Sequence, residues 1–155
     1  MIEREPPFKR KVFAYITHNG RLLVFSQPGA PEARIQVPAG TVEGDEPLNT
    51  AVMREAIEET GLSGLELVRP LGEQVCNVRN NAGEWETHHR YFYHLRCSDA
   101  PPTTWEHWER FRSDGGPDVL FSFHWVPLPQ GIPPLTSDDD GTVTCLRGLF
   151  GDRPC

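Results

Sequence analysis

The chain has 155 residues, a formal net charge of −7, 37% hydrophobic residues and 24% charged residues, as expected for one soluble globular domain with room for a core. The acidic charge argues against electrostatic binding to nucleic acid or to an anionic membrane, and no apolar run approaches the roughly 18 residues of a bilayer-crossing helix. We therefore expect a single domain over residues 1–155 without nucleic acid or membrane partners, acting as a monomer or a homodimer.

The cysteines and the first residues of the chain bear on its location. Cys76, Cys97, Cys145 and Cys155 are widely spaced, with no C-x-x-C pair and no histidine at zinc-finger spacing. The opening MIEREPPFKRK lacks the apolar region of a secretory signal peptide. These features indicate reduced thiols in a cytoplasmic protein.

The first part of the chain predicts a β-hairpin and a short strand. Residues 10–17 alternate between two faces as a strand does, and the Asn19-Gly20 pair that follows is the strongest short signal for a hairpin turn. The predicted elements are, in order, a tail or edge segment at 1–9, strands at 10–17 and 21–26, and a short strand at 34–37.

The stretch from Gly40 to Leu62 concentrates five glutamates, one aspartate, one arginine and three glycines in 23 residues. Pro47 suits the first position of a helix, because its missing N–H would have no partner there. The helix is predicted to run to Glu59 or Thr60, followed by Gly61 as a left-handed terminating residue. The residues of this helix predicted to contact the core are Met53, Ala56 and Ile57.

Three carboxylates share one side of this predicted helix. At about 100° per residue, Glu55, Glu58 and Glu59 fall within roughly 100° of arc, with Arg54 beside them. Glu55 and Glu59 are like charges four residues apart, which costs a few tenths of a kcal/mol in an isolated helix. We therefore expect a cation against the carboxylates, whose hard oxygens suit Mg²⁺ or Mn²⁺ better than zinc. Glu46, about two turns before Arg54, is placed to pair with it.

The second half of the chain predicts further strands and a terminal helix. The strand at 85–97 is the clearest, with one face in the core and the other either solvated or lining a groove. The predicted elements are strand-like material at 65–78 interrupted at Pro70 and Gly72, a turn at 80–83, a strand at 85–97, a proline-rich loop at 98–104, a segment at 105–110 that fits a short helix or an edge strand, a strand at 119–126, and a short amphipathic helix carrying Val143, Leu146 and Phe150.

The helix and the loop before it carry a family resemblance. The pattern resembles the Nudix box at every fixed position. It consists of Gly40, five residues, Glu46, seven residues, and then REAIEETGL from Arg54 to Leu62. The resemblance implies an α/β (mixed α+β) fold, a Nudix-type α/β/α sandwich with a mixed β-sheet. It also implies metal-dependent hydrolysis of the diphosphate linkage of a nucleoside diphosphate joined to another group X, with Mg²⁺, or Mn²⁺, as the cofactor.

The resemblance also implies roles for single residues. Arg54 orients the glutamates, Glu46 braces Arg54, and Gly61 supports the end of the helix. Glu58 is either a further metal ligand or a proton acceptor. The implied catalytic set is Arg54, Glu55, Glu58 and Glu59, and the implied metal ligands are Glu55, Glu59, Glu58 and a backbone carbonyl of Gly40 or of Ala39 before it.

The general base and the substrate contacts stay open at this point. In the family the base comes from the box or from a glutamate on a later loop, where this chain offers Glu106 and Glu109. His88 and Arg90 lie on the polar face of the predicted strand at 85–97 and are candidates to meet substrate phosphates. An ordinary solvated sheet face is the alternative for these two residues.

The substrate is expected to be a small nucleotide-type molecule. The markers of family members that act on NADH, ADP-ribose, dinucleoside polyphosphates or coenzyme A are not visible in this sequence. A nucleoside triphosphate and a nucleotide sugar are the two default expectations. The alternative function is that of a catalytically inactive Nudix-fold sensor or regulator that binds nucleotides, against which the intact glutamates of the box argue.

Overall fold

The computed structural model describes residues 8–30, 35–80, 82–109 and 116–128. Within them the chain forms seven strands and one helix: β1 Phe8–His18, β2 Arg21–Ser26, β3 Ala39–Thr41, α1 Leu48–Thr60, β4 Leu65–Arg79, β5 Trp85–Cys97, β6 Thr104–Glu109 and β7 Val119–Pro127. The described part of the chain contains no helix that is long and apolar enough to cross a membrane.

Two sequence predictions fall largely outside the described residues. The terminal helix with Val143, Leu146 and Phe150 lies outside them entirely. So does the predicted tail, except that its last two residues, Phe8 and Lys9, belong to β1. β1 therefore begins earlier than the pattern of alternation indicated.

The strands form one mixed sheet, which confirms the predicted fold class. The strand order is β4-β5-β1-β2-β7-β6, with β3 paired to β1 outside that path. β1 runs parallel to β5 and antiparallel to β2 and β3. This central strand connects the two halves of the sheet and carries the short strand that precedes α1.

Both faces of the sheet are packed around β1. Val12, Ala14 and Ile16 belong to the larger core cluster, on the side that α1 covers. Phe13 and Tyr15 pack in a second cluster, and strand alternation puts them on the opposite side. Both faces that the sequence indicated for this strand therefore make apolar contacts.

Helix α1 is rotated about its axis relative to the predicted orientation. Ile57, predicted in the core, is 48% exposed, and Met53 is only partly buried against the cluster. Only Ala56 of the predicted core contacts is fully buried. The buried residues of the helix are Ala51, Val52, Ala56, Glu59 and Thr60. The acidic side and the core side of the helix therefore largely coincide, and two carboxylates point toward the protein.

The segment before α1 differs from the prediction in where its strand lies. Among the described residues, the predicted strand at 34–37 is not a continuous strand; Ile35 and Gln36 make only isolated bridges, that of Gln36 with Phe25. The three-residue β3 instead lies inside the predicted loop, where it pairs with β1 from Lys11 to Phe13. Pro47 has an extended ψ of 144° and precedes the helix, so it is the capping residue and not the first helical one.

The later strands are more continuous than predicted. β4 runs through Pro70 and Gly72, with register shifts at these positions in place of breaks, and its place at one end of the strand order tolerates a proline. β6 is a strand paired with β7 and not a helix. The polar face of β5 is partly packed, because Phe92 is 1% and His94 8% exposed.

Candidate active site

Two glutamates of α1 lie against the backbone of β3, Glu59 buried and Glu55 partly buried. Glu59 is 5% exposed and accepts a hydrogen bond at Oε2 from the N–H of Ala39 at 2.9 Å. A Cβ atom on Gly40 would lie 1.9 to 2.4 Å from the carboxylate atoms of Glu55. A residue without a side chain is therefore what lets Glu55 lie against this strand.

Arg54 connects the helix, the loop before it and β3. Its Nε and Nη2 donate to the two carboxylate oxygens of Glu46 at 2.8 and 2.9 Å, which is a bidentate pair. Its Nη1 donates to Glu55 at 2.9 Å and to Glu58 at 3.3 Å. Its Nη2 also reaches the carbonyl of Thr41 at 3.3 Å. One guanidinium group thus fixes three separate parts of the site.

Burial and like charges raise the pKa values of the inward-facing carboxyls. Burial raises the pKa of Glu59 well above its ordinary value, and the neighbouring charge of Glu109 adds to the rise. Burial raises the pKa of Glu55 to about 7, although Arg54 opposes this shift. The hydrogen bonds from Arg54 lower the pKa of Glu46 to about 2. The two buried acids therefore favour a compensating cation when they ionise.

β6 brings Glu109, and not Glu106, to the site. Trp105 Nε1 and His107 Nε2 each donate to a backbone carbonyl in the last turn of α1, at 2.9 Å. Glu109 shares their face of the strand and lines a cavity of about 180 Å³ together with Glu59. Glu106 is exposed on the opposite face.

Several contributors to this site carry no signal in the sequence. The amide side chains of Gln27 and Gln36 line the same cavity as Glu59, although nothing in their local pattern distinguishes them from loop residues. The hydrogen bonds from Trp105 and His107 join positions more than 40 residues apart. The pattern of the segment at 105–110 fits a short helix as well as an edge strand, so the sequence alone does not place Glu109 at the site.

His88 and Arg90 lie on the other face of the sheet from α1. Alternation along β5 puts them on the same face as Phe92, which stacks on Phe13 in the second cluster. His88 Nε2 lies 3.0 Å from Glu86 Oε1, and the Arg90 guanidinium lies over the Phe13 ring. The structure therefore does not bring these two residues together with the carboxylates of α1.

The donor set fits a hard divalent cation by its chemistry. Among the described residues no three acidic, histidine or cysteine side chains already stand in a metal-binding cluster, because Arg54 and the Ala39 N–H hold the carboxylate oxygens. Buried carboxyls with raised pKa values nevertheless offer the oxygen ligands that Mg²⁺ and Mn²⁺ prefer. Binding such an ion requires some of the present contacts to be exchanged.

Comparison with known proteins gives a family match over most of the chain. The model of the NUDIX domain family matches residues 7–144. A search of curated protein sequences found no match.

Solved structures share the fold. The chain is 19% identical to the E. coli ORF135 protein, with a TM-score of 0.62 over 97% of this chain and 96% of that one. It is 14% identical to a UDP-X diphosphatase, with a TM-score of 0.61 over 99% of this chain and 68% of that one. It is 26% identical to a MutT NUDIX hydrolase from Burkholderia pseudomallei, with a TM-score of 0.54 over 88% and 95% of the two chains.

We predict that Gly40→Ala weakens divalent-cation binding by at least about 10-fold while changing the free energy of unfolding by less than about 1 kcal/mol. The new methyl group meets the far end of the flexible Glu55 side chain, so the carboxylate moves aside and the backbone stays in place. Titration of Mn²⁺ and chemical denaturation measure the two effects. Gly29→Ala is the matched control, because a Cβ there meets nothing within 4 Å. Equal cation binding by both variants would contradict the prediction.

We predict a pH-dependent stability of the metal-free protein from Glu55. A carboxyl whose pKa is higher in the folded than in the unfolded state stabilises the fold fully below 4.5, and this contribution is lost as the pH rises to about 7. The free energy of unfolding of Glu55→Gln, relative to wild type, should therefore increase by on the order of 1 kcal/mol across this window, after allowance for partial exposure. Urea denaturation in EDTA measures it, and a difference that stays constant with pH would refute the assignment.

Proposed function

Since the chain belongs to the NUDIX domain family, we propose that it is a pyrophosphohydrolase that cleaves the diphosphate linkage of a nucleoside diphosphate joined to another group X. The observation that carries the proposal is the pair of inward-facing carboxyls, Glu55 and Glu59, which lie against β3 with raised pKa values. Such groups hold their negative charge at neutral pH beside a bound cation. The likeness to a MutT NUDIX hydrolase at 26% identity supports the same reaction class.

We assign Mg²⁺, or Mn²⁺, as the cofactor. The residues that would hold it are Glu55, Glu59, Glu58 and a backbone carbonyl of Gly40 or Ala39. When bound there, such an ion would supply positive charge against the phosphate oxygens and would lower the pKa of a water molecule. Glu58 suits a solvent-facing ligand or proton acceptor, because its side chain is 60% exposed.

Arg54 and Glu46 act as positioning residues in this proposal. The bidentate pair with Glu46 fixes the guanidinium plane, so Arg54 can hold Glu55 and Glu58 on one side of the helix. Gly61, with φ of 71°, ends α1 in the left-handed conformation that glycine favours. The bond from Gly61 N–H to the carbonyl of Ile57 closes the last turn.

Glu109 is the residue that we propose as the general base. It shares a cavity with Glu59, and its carboxylate is close enough to raise the pKa values of both Glu59 and Glu55. A carboxylate at this point can take a proton from the attacking water. Glu106 does not share this position, since it is on the opposite face of β6.

The cellular setting and the assembly state complete the proposal. The two described cysteines, Cys76 and Cys97, are free thiols, the state expected in the cytoplasm. We propose a cytoplasmic enzyme of one domain, monomeric or homodimeric, whose substrate is a nucleoside triphosphate or a nucleotide sugar. A nucleotide-binding sensor is the second candidate function. It is favoured by the hydrogen bonds that Arg54 donates to Glu55 and Glu58, because carboxylates bound to an arginine are less available to a cation.

We predict that the wild-type protein releases phosphate, pyrophosphate or a nucleoside monophosphate from at least one member of a nucleotide panel, and that Glu59→Gln reduces this release by roughly 100-fold or more. The panel contains nucleoside triphosphates, nucleotide sugars and dinucleotide cofactors, each tested with Mg²⁺ and with Mn²⁺. Glu66→Gln, an exposed change on β4, is the control. If the wild type binds nucleotides but cleaves none, the sensor function replaces the enzyme.

We predict that Glu109→Gln lowers kcat by about 10²- to 10⁴-fold, the usual contribution of a general base, while the affinity for Mn²⁺ changes little. Glu106→Gln, a change of the same chemistry on the opposite face of the same strand, should retain activity. Steady-state kinetics across pH and Mn²⁺ titration separate proton transfer from ion binding. An inactive Glu106→Gln beside an active Glu109→Gln would reverse the assignment.

A further inference from the structure

Strand β4 has one edge that no other strand of the described residues covers. It stands at one end of the strand order and pairs only with β5. Within the described part of the chain, the backbone N–H and C=O groups along its outer edge therefore lack a strand partner. Such an edge is a template for pairing with another chain. It is remote from the proposed general base, because Glu109 belongs to β6 at the opposite end of the order.

The two halves of β4 differ in how this edge is protected. In the first half the pairing with β5 shifts register twice, after Leu67 and after Pro70. Bulges and prolines in an edge strand are devices that prevent pairing with other chains. From Glu73 to Arg79 the register with β5 is regular and no proline occurs. The second half of β4 is therefore an unprotected edge.

The exposed side chains of this second half include an apolar residue and two opposite charges. Val75 is 61% exposed. The Glu73 side chain is 62% exposed, and its carboxylate lies 3.3 Å from His89 Nε2. The Arg79 guanidinium lies over the Trp85 ring at 4.8 Å, and none of the ion pairs of the described residues includes it. Trp85 therefore supports one side of the guanidinium and leaves its donors for a carboxylate of another chain.

The charges of this segment make it complementary to itself. Glu73 and Arg79 are six residues apart, with Cys76 midway between them. In an antiparallel pair of two copies centred on Cys76, Glu73 of each copy stands directly opposite Arg79 of the other. Their even spacing puts both residues on the same face of the strand, so both ion pairs form on one side of the sheet. Opposite charges at directly opposed positions stabilise antiparallel pairing.

We propose that the protein is a homodimer in which β4 of one copy pairs with β4 of a second copy from Glu73 to Arg79, antiparallel and centred on Cys76. A pairing centred on a neighbouring residue in either direction separates Glu73 from Arg79, so the two charges fix the register. They also select a second copy as the occupant, because a neutral peptide would leave Arg79 without a carboxylate. The contact is independent of the proposed hydrolase function, since no residue of the candidate active site takes part in it.

Sedimentation velocity on charge-reversed variants tests the pairing. The wild type should sediment with twice the chain mass of 17.5 kDa. Glu73→Arg and Arg79→Glu each place like charges opposite one another and should raise the dissociation constant of the dimer by about 10-fold or more. Mixing the two variants re-creates both ion pairs in a heterodimer, so the mixture should dimerise more tightly than either variant alone. Arg21→Glu, an exposed change on β2 that alters the net charge as Arg79→Glu does, should leave the dimer intact.

Three results would overturn the inference. The first is a wild type that remains monomeric at about 100 µM, a hundredfold above a micromolar dissociation constant. The second is a dimer that neither charge reversal weakens. The third is a mixture of the two variants that stays monomeric although each variant keeps the circular dichroism spectrum of the wild type.

Disulfide trapping at Cys76 tests the same contact without any change of charge. The α-carbons of directly opposed residues in an antiparallel pair are about 4.5 or 5.5 Å apart, which is within the range that a disulfide bridges. In a Cys145→Ser, Cys155→Ser background, oxidation by copper phenanthroline and oxygen should therefore link two chains through Cys76, and Cys76→Ser should abolish the product. A background protein that is dimeric yet gives no product through Cys76 would show the proposed register to be wrong.

Discussion

The burial of the Glu59 carboxylate against the N–H of Ala39 is the contact on which the rest of the site depends. A carboxylate that is 5% exposed has lost most of its hydration, and one hydrogen bond at 2.9 Å replaces only part of it. The helix can therefore take this rotation only if β3 lies directly beside it. β3 in turn needs the backbone of β1 as a pairing partner, and Gly40 leaves the space that the Glu55 carboxylate occupies at its closest approach.

Arg54 neutralises part of the negative charge that the clustered glutamates bring to the site. Its guanidinium group satisfies Glu46 fully and shares the remaining donor with Glu55 and Glu58. Glu59 accepts none of these bonds, and burial raises its pKa well above the ordinary value. The protein itself therefore neutralises part of the negative charge of the site, and a bound cation can neutralise the rest. Sites that break the usual rules of burial in this way are expected where a protein binds ions or acts on substrates.

The sequence predicted elements well where the signal was local and poorly where it depended on distant partners. The alternation of β1 and the spacing of the box glutamates were legible because each lies within one element. The rotation of α1 was not, because Ile57 and Val52 are both apolar and the core was predicted on the side opposite the carboxylates. What decides between the two rotations is β3, a three-residue strand in which only Thr41 favours strand structure. Its existence depends on free backbone groups about 28 residues earlier in the chain.

The net charge of −7 does not oppose an anionic phosphate substrate, because exposed charges beyond about 8–10 Å are largely screened at physiological ionic strength. The groups within that distance decide whether a phosphate can approach. Without a cation, the carboxylates of Glu55, Glu59 and Glu109 would repel it, and the raised pKa values of Glu55 and Glu59 already reflect that mutual repulsion. A divalent cation held by Glu55 and Glu59 would reverse the sign of the local field, so the same concentration of acids that disfavours a phosphate in the metal-free protein would favour it once the cation is bound.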